Sequence, residues 1–529
     1  RPMHYLHRAI VVAFFAAKVL HPTPAEAQSR LLWGSLKPGA DAVGFRVQYQ
    51  LDQSREYDPP FRSDLSFPTH HPRPIMIAIW YPAQRSAKPP MRYREYFAVA
   101  PATGPLVSFG ARVAQATRKI AGEEITGDDG GTMTPADSTG FARLLETRTM
   151  AVRNAAPALG RHPVLLYHPG LGGSYEDNSV LFEYLASRGF IVISSPFPDP
   201  DGSNIVVSGD IPGSFADLSF LTAFARSLPN ADADRIGVMG HSYGAWVSFG
   251  WAASTDAPVR ALITLDSGFE YDSLSAGPEL LQLHMKTHRT AIRAATLRVA
   301  STERSPHFEY LDPYLAFVTR YGAAITSLKH NDYLTHGAIR PDLFPGKWPD
   351  ARHDRRASYD RLCELVATFL DATLRGRAGA DTLLADMVTH SGPDSRLSLR
   401  FTPALSPPPT QRQMALLLQQ RGAAYTIDLL RAFPAVAQSK MVGGLITLVS
   451  DGDFSTALPA LRIAEHTYPG NAGIEALLGQ VLLQTGDRRG AERAFRQGLA
   501  LLATDSTMGA FRSYWEGRIQ RGLKELGVP

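Results

Sequence analysis

Residues 235–246 read Arg235-Ile-Gly-Val-Met-Gly-His-Ser-Tyr-Gly-Ala-Trp246, a short apolar strand running straight into Gly240-His241-Ser242-Tyr243-Gly244. G-x-S-x-G alone is a weak pattern. With a strand before it and a helix after it, it describes a sharp turn that stands its serine above a sheet edge. A serine hydroxyl holds its proton tightly at neutral pH and is a poor nucleophile until a neighbouring base can reach it. Exposure on such a turn makes that possible. Gly240 and Gly244 carry no side chain because the two backbones pass close to each other there.

Three further segments fit the same chemistry. Arg161-His-Pro-Val-Leu-Leu-Tyr-His168-Pro-Gly-Leu-Gly-Gly173 is a buried-type strand ending in a glycine-rich loop. A loop in this position supplies one backbone N–H to an oxyanion, and the residue after the nucleophile supplies the other. Pro169 has no N–H to give, which places the loop donor at Leu171 and the second at Tyr243. Downstream, Ala261-Leu-Ile-Thr-Leu265 reads as a strand with Asp266 at its carboxyl end. Chemistry in open α/β sheets collects at such ends. Ala323–Lys329 reads as another buried strand, followed by His330. His336, at the far end of the same loop, is the weaker candidate for the base. A rival acid exists as well: Thr296–Ser301 is a strand, and Glu303 lies just beyond it. The order Ser, Asp, His along the chain is that of the α/β-hydrolases.

From about Gly44 to Arg375 the chain resembles the platelet-activating-factor acetylhydrolase and dienelactone-hydrolase-like branch of that fold. The resemblance is carried by Arg73–Pro82, His168-Pro-Gly-Leu-Gly172, Tyr184–Val192, Gly240–Gly244, Leu265-Asp266 and Leu328-Lys-His330. In the acetylhydrolases the acid follows the strand after the nucleophile, about two dozen residues on, so the resemblance favours Asp266 over Glu303. It departs at Pro169, where the family loop runs from histidine directly to glycine. The implied catalytic set is Ser242, Asp266 and His330, with Leu171 and Tyr243 as oxyanion donors.

The remaining sequence bounds the rest. Basic Arg1–Arg8, apolar Ala9–Ala17 and Ala25-Glu-Ala27 have the order of a secretory signal, which would make 1–27 a leader and the protein secreted or periplasmic. Cleavage after Ala27 removes three cations and one anion and takes the net charge from +4 to +2. So small a charge gives no electrostatic case for nucleic acid as a partner. Cys363, the only cysteine, falls in the helical pattern Arg361–Leu374 and reads as a buried small hydrophobe. No metal site or cofactor is expected. His70-His71 lies in a proline-rich loop and reads as solvated, and no glycine-rich phosphate loop precedes a helix.

Alternating strands and helices over 28–376 predict an α/β-hydrolase domain, a mostly parallel sheet flanked by helices. The strand candidates ahead of the elbow are Gly44–Leu51, Ile75–Trp80, Val164–Tyr167 and Phe190–Ser194. Residues 89–160 form a long excursion or partial lid, and 377–411 a linker, loop-like from Gly392 and ending near Ser406-Pro-Pro-Pro409. Residues 412–529 read as a smaller all-α domain. Gly452-Asp453 recurs as Gly486-Asp487, 34 residues on, and Ala457 and Leu461 recur as Ala491 and Phe495. That period resembles the tetratricopeptide repeat, with units at Val442–Gly470 and Asn471–Ser506 and a capping helix at Phe511–Leu526. Gln413–Ala435 reads as a degenerate earlier unit.

The function expected from these residues is an exported serine hydrolase that cleaves a small-molecule carboxylic ester through an acyl-enzyme. The same triad would serve a peptidase, a thioesterase or an acyltransferase. A reading from another class makes the hydrolase domain an inactive scaffold, with the helical repeats binding a protein partner or a second copy.

Overall fold

The computed structural model describes residues 31–57, 72–126 apart from 102 and 105, 134–254, 259–287, 292–344, 347, 352–390, 396–405, a few positions between 420 and 450, 452–504 and 511–528. The leader at 1–27, the His70-His71 pair, Gly127–Gly131, the proline run and most of Gln413–Ala435 lie outside the described residues.

The strands are β1 (Ala42–Glu56), β2 (Pro72–Ala83), β3 (Ala151–Arg153), β4 (His162–His168), β5 (Ile191–Ser194), β6 (Ala231–His241), β7 (Val259–Leu265), β8 (Ala295–Ser301), β9 (Arg320–Ile325) and β10 (Leu397–Thr402). They form one sheet in the order β10-β9-β8-β7-β6-β4-β5-β2-β1-β3. The pairs β4–β5 and β7–β8 are parallel, and β2 runs antiparallel to both β1 and β5. Helices Ser179–Ser187, Ile211–Ser227, Tyr243–Ala252 and Glu279–Thr287 alternate with the strands from β4 to β8. This is the helix-flanked, mostly parallel sheet of the α/β class. Its central strands are buried through their apolar runs: Ile75 to Trp80 are at most 1% exposed, and Val164 to Tyr167 are fully buried. A strand covered on both faces reads as a continuous apolar run, which is why these were visible in the sequence.

Two compact units make up the chain, one of Arg1–Ile236, Ile325–Leu384 and Gly392–Leu397, the other of Gly237–Ala324, Ala385–Ser391 and Ser398–Pro529.

In the first unit the described residues of the long excursion are packed structure. They include a 3-10 turn at Tyr93–Phe97, helices Val107–Thr126 and Pro135–Glu146, and β3. Thr134 starts the second helix with a reciprocal capping box to Asp137, and Pro135 follows where its missing N–H costs nothing. The excursion is anchored on Glu183, a fully buried carboxylate that accepts from Tyr96 Oη at 2.5 Å, Trp33 Nε1 at 2.9 Å and the Met150 amide at 3.0 Å. Burial raises its pKa, and these donors offset part of that cost. Cys363 is fully buried in helix Arg352–Leu370, and burial pushes its thiol well above the ordinary range.

In the second unit the four helices Phe454–Thr467, Ala472–Gln484, Arg488–Thr504 and Phe511–Leu526 build their own core around Leu461, Leu477, Val481, Phe495 and Ile519. The repeated Gly-Asp is a stop and a start. Gly452 and Gly486 hold left-handed backbone (φ 76° and 89°), while Asp453 and Asp487 accept the Thr456 and Gly490 amides at the head of the next helix. Phe495 packs against Gly479 and Gly522, where an added Cβ would lie 2.5 Å and 2.2 Å from its ring. One expectation differs. Within the stretch read as loop-like, Leu397–Thr402 is β10, with Leu397 and Leu399 buried and Ser398 and Arg400 exposed. That alternation is the signature of a half-buried strand, but it is only one short run in a sequence otherwise rich in Gly, Pro, Ser and Asp.

No described helix is long and apolar enough to cross a membrane.

Candidate active site

The second unit holds the elbow. β6 ends at His241, and Ser242 takes φ 52° and ψ −121° before helix Tyr243–Ala252 begins. A non-glycine residue at positive φ costs about 1–3 kcal/mol and persists only where its surroundings impose it. The surroundings are visible. A Cβ on Gly240 would stand 2.1 Å from the carbonyl oxygen of Gly244, so strand and helix backbones do pass within contact of each other. The Ser242 amide donates to the carbonyl of Leu265 at 3.0 Å, and the Ser242 carbonyl accepts from Ala245 at 3.0 Å. Ser242 is partly exposed, and Tyr243 is buried.

Leu265 is the last residue of β7, so that amide bond fastens the elbow to the residue before Asp266. Asp266 is itself left-handed (φ 47°) and 2% exposed, with its amide on the Val299 carbonyl of β8 at 2.7 Å. Beyond it Ser267 Oγ donates to Glu270 at 2.6 Å and caps the Phe269 amide, and Gly268 turns at φ 88°. Glu270 is fully buried, and burial raises its pKa, partly offset by Ser267 and the charge of Arg298. Trp246 Nε1 donates to the Ser267 carbonyl, so the elbow helix grips this turn a second time. Glu303, the rival acid, is exposed in the 3-10 turn Thr302–Arg304, its amide on Ser301 Oγ at 3.2 Å.

The first unit holds the other candidates. Leu171 is 62% exposed on the loop after β4, which is closed by the Gly173 amide on Gly170 and pinned by the Gly172 amide on Val207 at 2.8 Å. His168 is fully buried beneath this loop. Its Nδ1 lies 2.8 Å from the Pro169 carbonyl, and its ring packs, tilted by 31°, on Phe197 at 3.9 Å between centres. Burial lowers its pKa to about 4, so it is neutral at pH 7 and donates from Nδ1. The following loop is held by Arg73 of β2, which clasps Asp217 with two bonds at 3.0 and 2.8 Å and donates to the Pro198 carbonyl at 2.6 Å.

His330 opens a 3-10 turn, His330–Tyr333, and is exposed. The strand before it ends at Ile325, earlier than expected. Ser327 (φ 62°) turns the chain between them, so His330 stands on a short loop beyond the strand end. Asp332 fixes this turn by accepting the Lys329 amide at 3.0 Å and pairing with Arg355 at 3.0 Å. The turn is also bound to the segment that follows Leu171. Asn178 Nδ2 donates to the Tyr333 carbonyl at 3.0 Å, the Thr335 amide to the Asp177 carbonyl at 2.9 Å, and Tyr359 Oη to Asn178 Oδ1 at 2.6 Å. The unit therefore holds the Leu171 loop and the His330 turn as one braced piece.

His336 has a different environment, one that its sequence context did not reveal. It is fully buried, with Nδ1 2.6 Å from Glu124, and Nε2 2.7 Å from Tyr93 Oη and 3.3 Å from Glu176. Burial opposes its charge, but Glu176 and Glu124 overcome it and raise the pKa to about 10. Asp177 nearby moves up strongly, through burial and then the charges of Glu124 and Glu176. With its pKa raised to about 10, the His336 ring is protonated near pH 7 and has no lone pair to accept a proton there. Among the described residues no cluster of His, Cys, Asp and Glu has metal-holding geometry.

Fold and elbow together define the class: a mostly parallel α/β sheet protein with a positive-φ serine on a sharp strand-to-helix turn. No family model matches the chain, and no curated protein matches it. Among the solved structures it resembles is a ferulic acid esterase from Streptomyces cinnamoneus, at 20% identity and a TM-score of 0.46, covering 70% of this chain and 98% of that one. A likeness of this degree says nothing about substrate.

Proposed function

We propose that the protein is a serine hydrolase that cleaves carboxylic esters through an acyl-enzyme. The observation that carries this is the strained elbow at Ser242, tied by its own amide to Leu265 beside a buried aspartate. Strain of this kind clusters where a side chain must be aimed. Ser242 Oγ attacks the ester carbonyl while His330 takes its proton. The tetrahedral oxyanion is held by the amides of Leu171 and Tyr243. Collapse breaks the C–O bond, and His330 returns the proton to the leaving alcohol. Water, deprotonated by His330, then releases the acid and regenerates Ser242. Asp266 orients His330 and stabilises the imidazolium. Asp266 is favoured over Glu303 because it is buried and anchored, while Glu303 is exposed. The acetylhydrolase-like resemblance and the repeat-like Gly-Asp period support, respectively, an ester substrate and a partner-binding role for the C-terminal helices.

The test is intact-mass spectrometry after reaction with a fluorophosphonate. One adduct on the wild type, lost in Ser242→Ala, is the expected result. No adduct on the folded wild type would turn the reading toward an inactive scaffold. A panel of p-nitrophenyl esters, thioesters and anilides then separates the esterase from thioesterase and peptidase alternatives.

A further inference from the structure

We infer that Tyr271 is a positioning residue for the triad acid, clamping Asp266 to the end of β8; this rests on the hydrolase reading above. Tyr271 Oη donates to Asp266 Oδ1 at 2.5 Å and accepts the Ser301 amide at 2.7 Å. The direction is fixed by chemistry. An amide can only donate, so the phenol lends it a lone pair and sends its single proton to the carboxylate. Donation from the amide polarises the phenol and strengthens the bond it makes onward. Burial and the charge of Asp266 push the Tyr271 pKa up, so the phenol keeps that proton at any working pH. Arg304 lies over the ring, 3.9 Å from its centre, holding the aromatic plane from the turn that follows β8. The charged groups around this pair include Arg304, itself paired with Asp272 at 3.6 Å, and Glu270, which is buried, bonded to Ser267 and facing the charge of Arg298.

The arrangement also explains how β8 takes part without supplying the acid. Glu303 points to solvent, while Ser301, two residues earlier, reaches Asp266 through the tyrosine. A carboxylate offers about four lone-pair sites, so acceptance from Tyr271 is compatible with the bond from His330 that the mechanism requires. Without the phenol the carboxylate becomes more basic and less well aimed, and the imidazolium it supports gives up its proton at higher pH.

Tyr271→Phe keeps the ring and its stack and deletes only the hydroxyl. Measured as fluorophosphonate labelling rate and p-nitrophenyl ester turnover against pH, it should lose about tenfold in kcat with KM nearly unchanged. The acidic limb of its kcat/KM profile should move to higher pH, with a modest fall in melting temperature because the Ser301 amide loses its acceptor. Arg304→Ala should move the limb in the same direction by a smaller amount. A profile and kcat equal to wild type in Tyr271→Phe would overturn the positioning role alone. Wild-type protein that neither labels nor turns over would overturn this inference together with the hydrolase reading.

Discussion

At Ser242 and Asp266 the backbone is forced into left-handed conformations, while around His336 it is ordinary helix and the cost lies in buried charge. The two regions show two ways of storing free energy. At the elbow the strain aims side chains: each distorted residue is fixed through its amide to a neighbouring strand, Ser242 to Leu265 and Asp266 to Val299. In the ionic knot an imidazolium between Glu124 and Glu176 fastens helix Thr335–Leu343 to helix Val107–Thr126 and to the loop after β4. In the proposed mechanism the first arrangement serves chemistry, while the second fastens one helix to another. His330 and His336 are six residues apart and have opposite environments: one is exposed and the other is buried between carboxylates.

The comparison breaks most decisively at the serine. Ser242→Ala should lower kcat by roughly 10⁶-fold and leave the melting temperature near wild type; esterase activity surviving in that variant would sink the mechanism. Next comes the acid. Asp266→Asn should cost about 10⁴ in kcat and Glu303→Gln less than about twofold, assayed side by side on one ester. The reverse ranking would move the acid to β8.

The knot should respond in stability. His336→Gln leaves the buried Glu176 and the partly buried Glu124 without their cation and should destabilise folding by about 3 kcal/mol in urea titrations, while the folded fraction keeps its kcat. The sign with pH follows from a folded-state pKa raised from 6.5 to about 10. The stabilisation from His336 is complete below about 6.5 and fades as pH climbs through 10, so the gap between wild type and variant should narrow over that window. A variant that stays stable but loses turnover would make His336 the base. The smallest effect belongs to the helical region, where Asp487→Ala removes the cap on the Gly490 amide and should cost about 1 kcal/mol in the same titration.

Much of this was legible in order along the chain. The apolar runs at Ile75–Trp80 and Val164–Tyr167 announce buried strands because both faces are covered, and the recurrent Gly-Asp marks helix ends because stop and cap have strict residue preferences. β10 was obscured by a neighbourhood rich in Gly, Pro, Ser and Asp, and the boundary of β9 shifted because Ser327 accepts a positive φ that composition does not signal. Tyr271 carried no motif at all. Its role depends on the Ser301 amide, thirty residues away in sequence.

The sequence by itself determined the alternation of strand and helix, the turn that carries Ser242 and the candidates for its partners, because local periodicity and short-range steric demands are written in adjacent residues. Only the tertiary structure decided that Asp266 is buried and gripped by Tyr271, that Glu303 is left in solvent, and that His336 is a buried cation. Burial and charge pairing arise from residues distant in the chain, and the free energy of an ionisable group is set by what surrounds it.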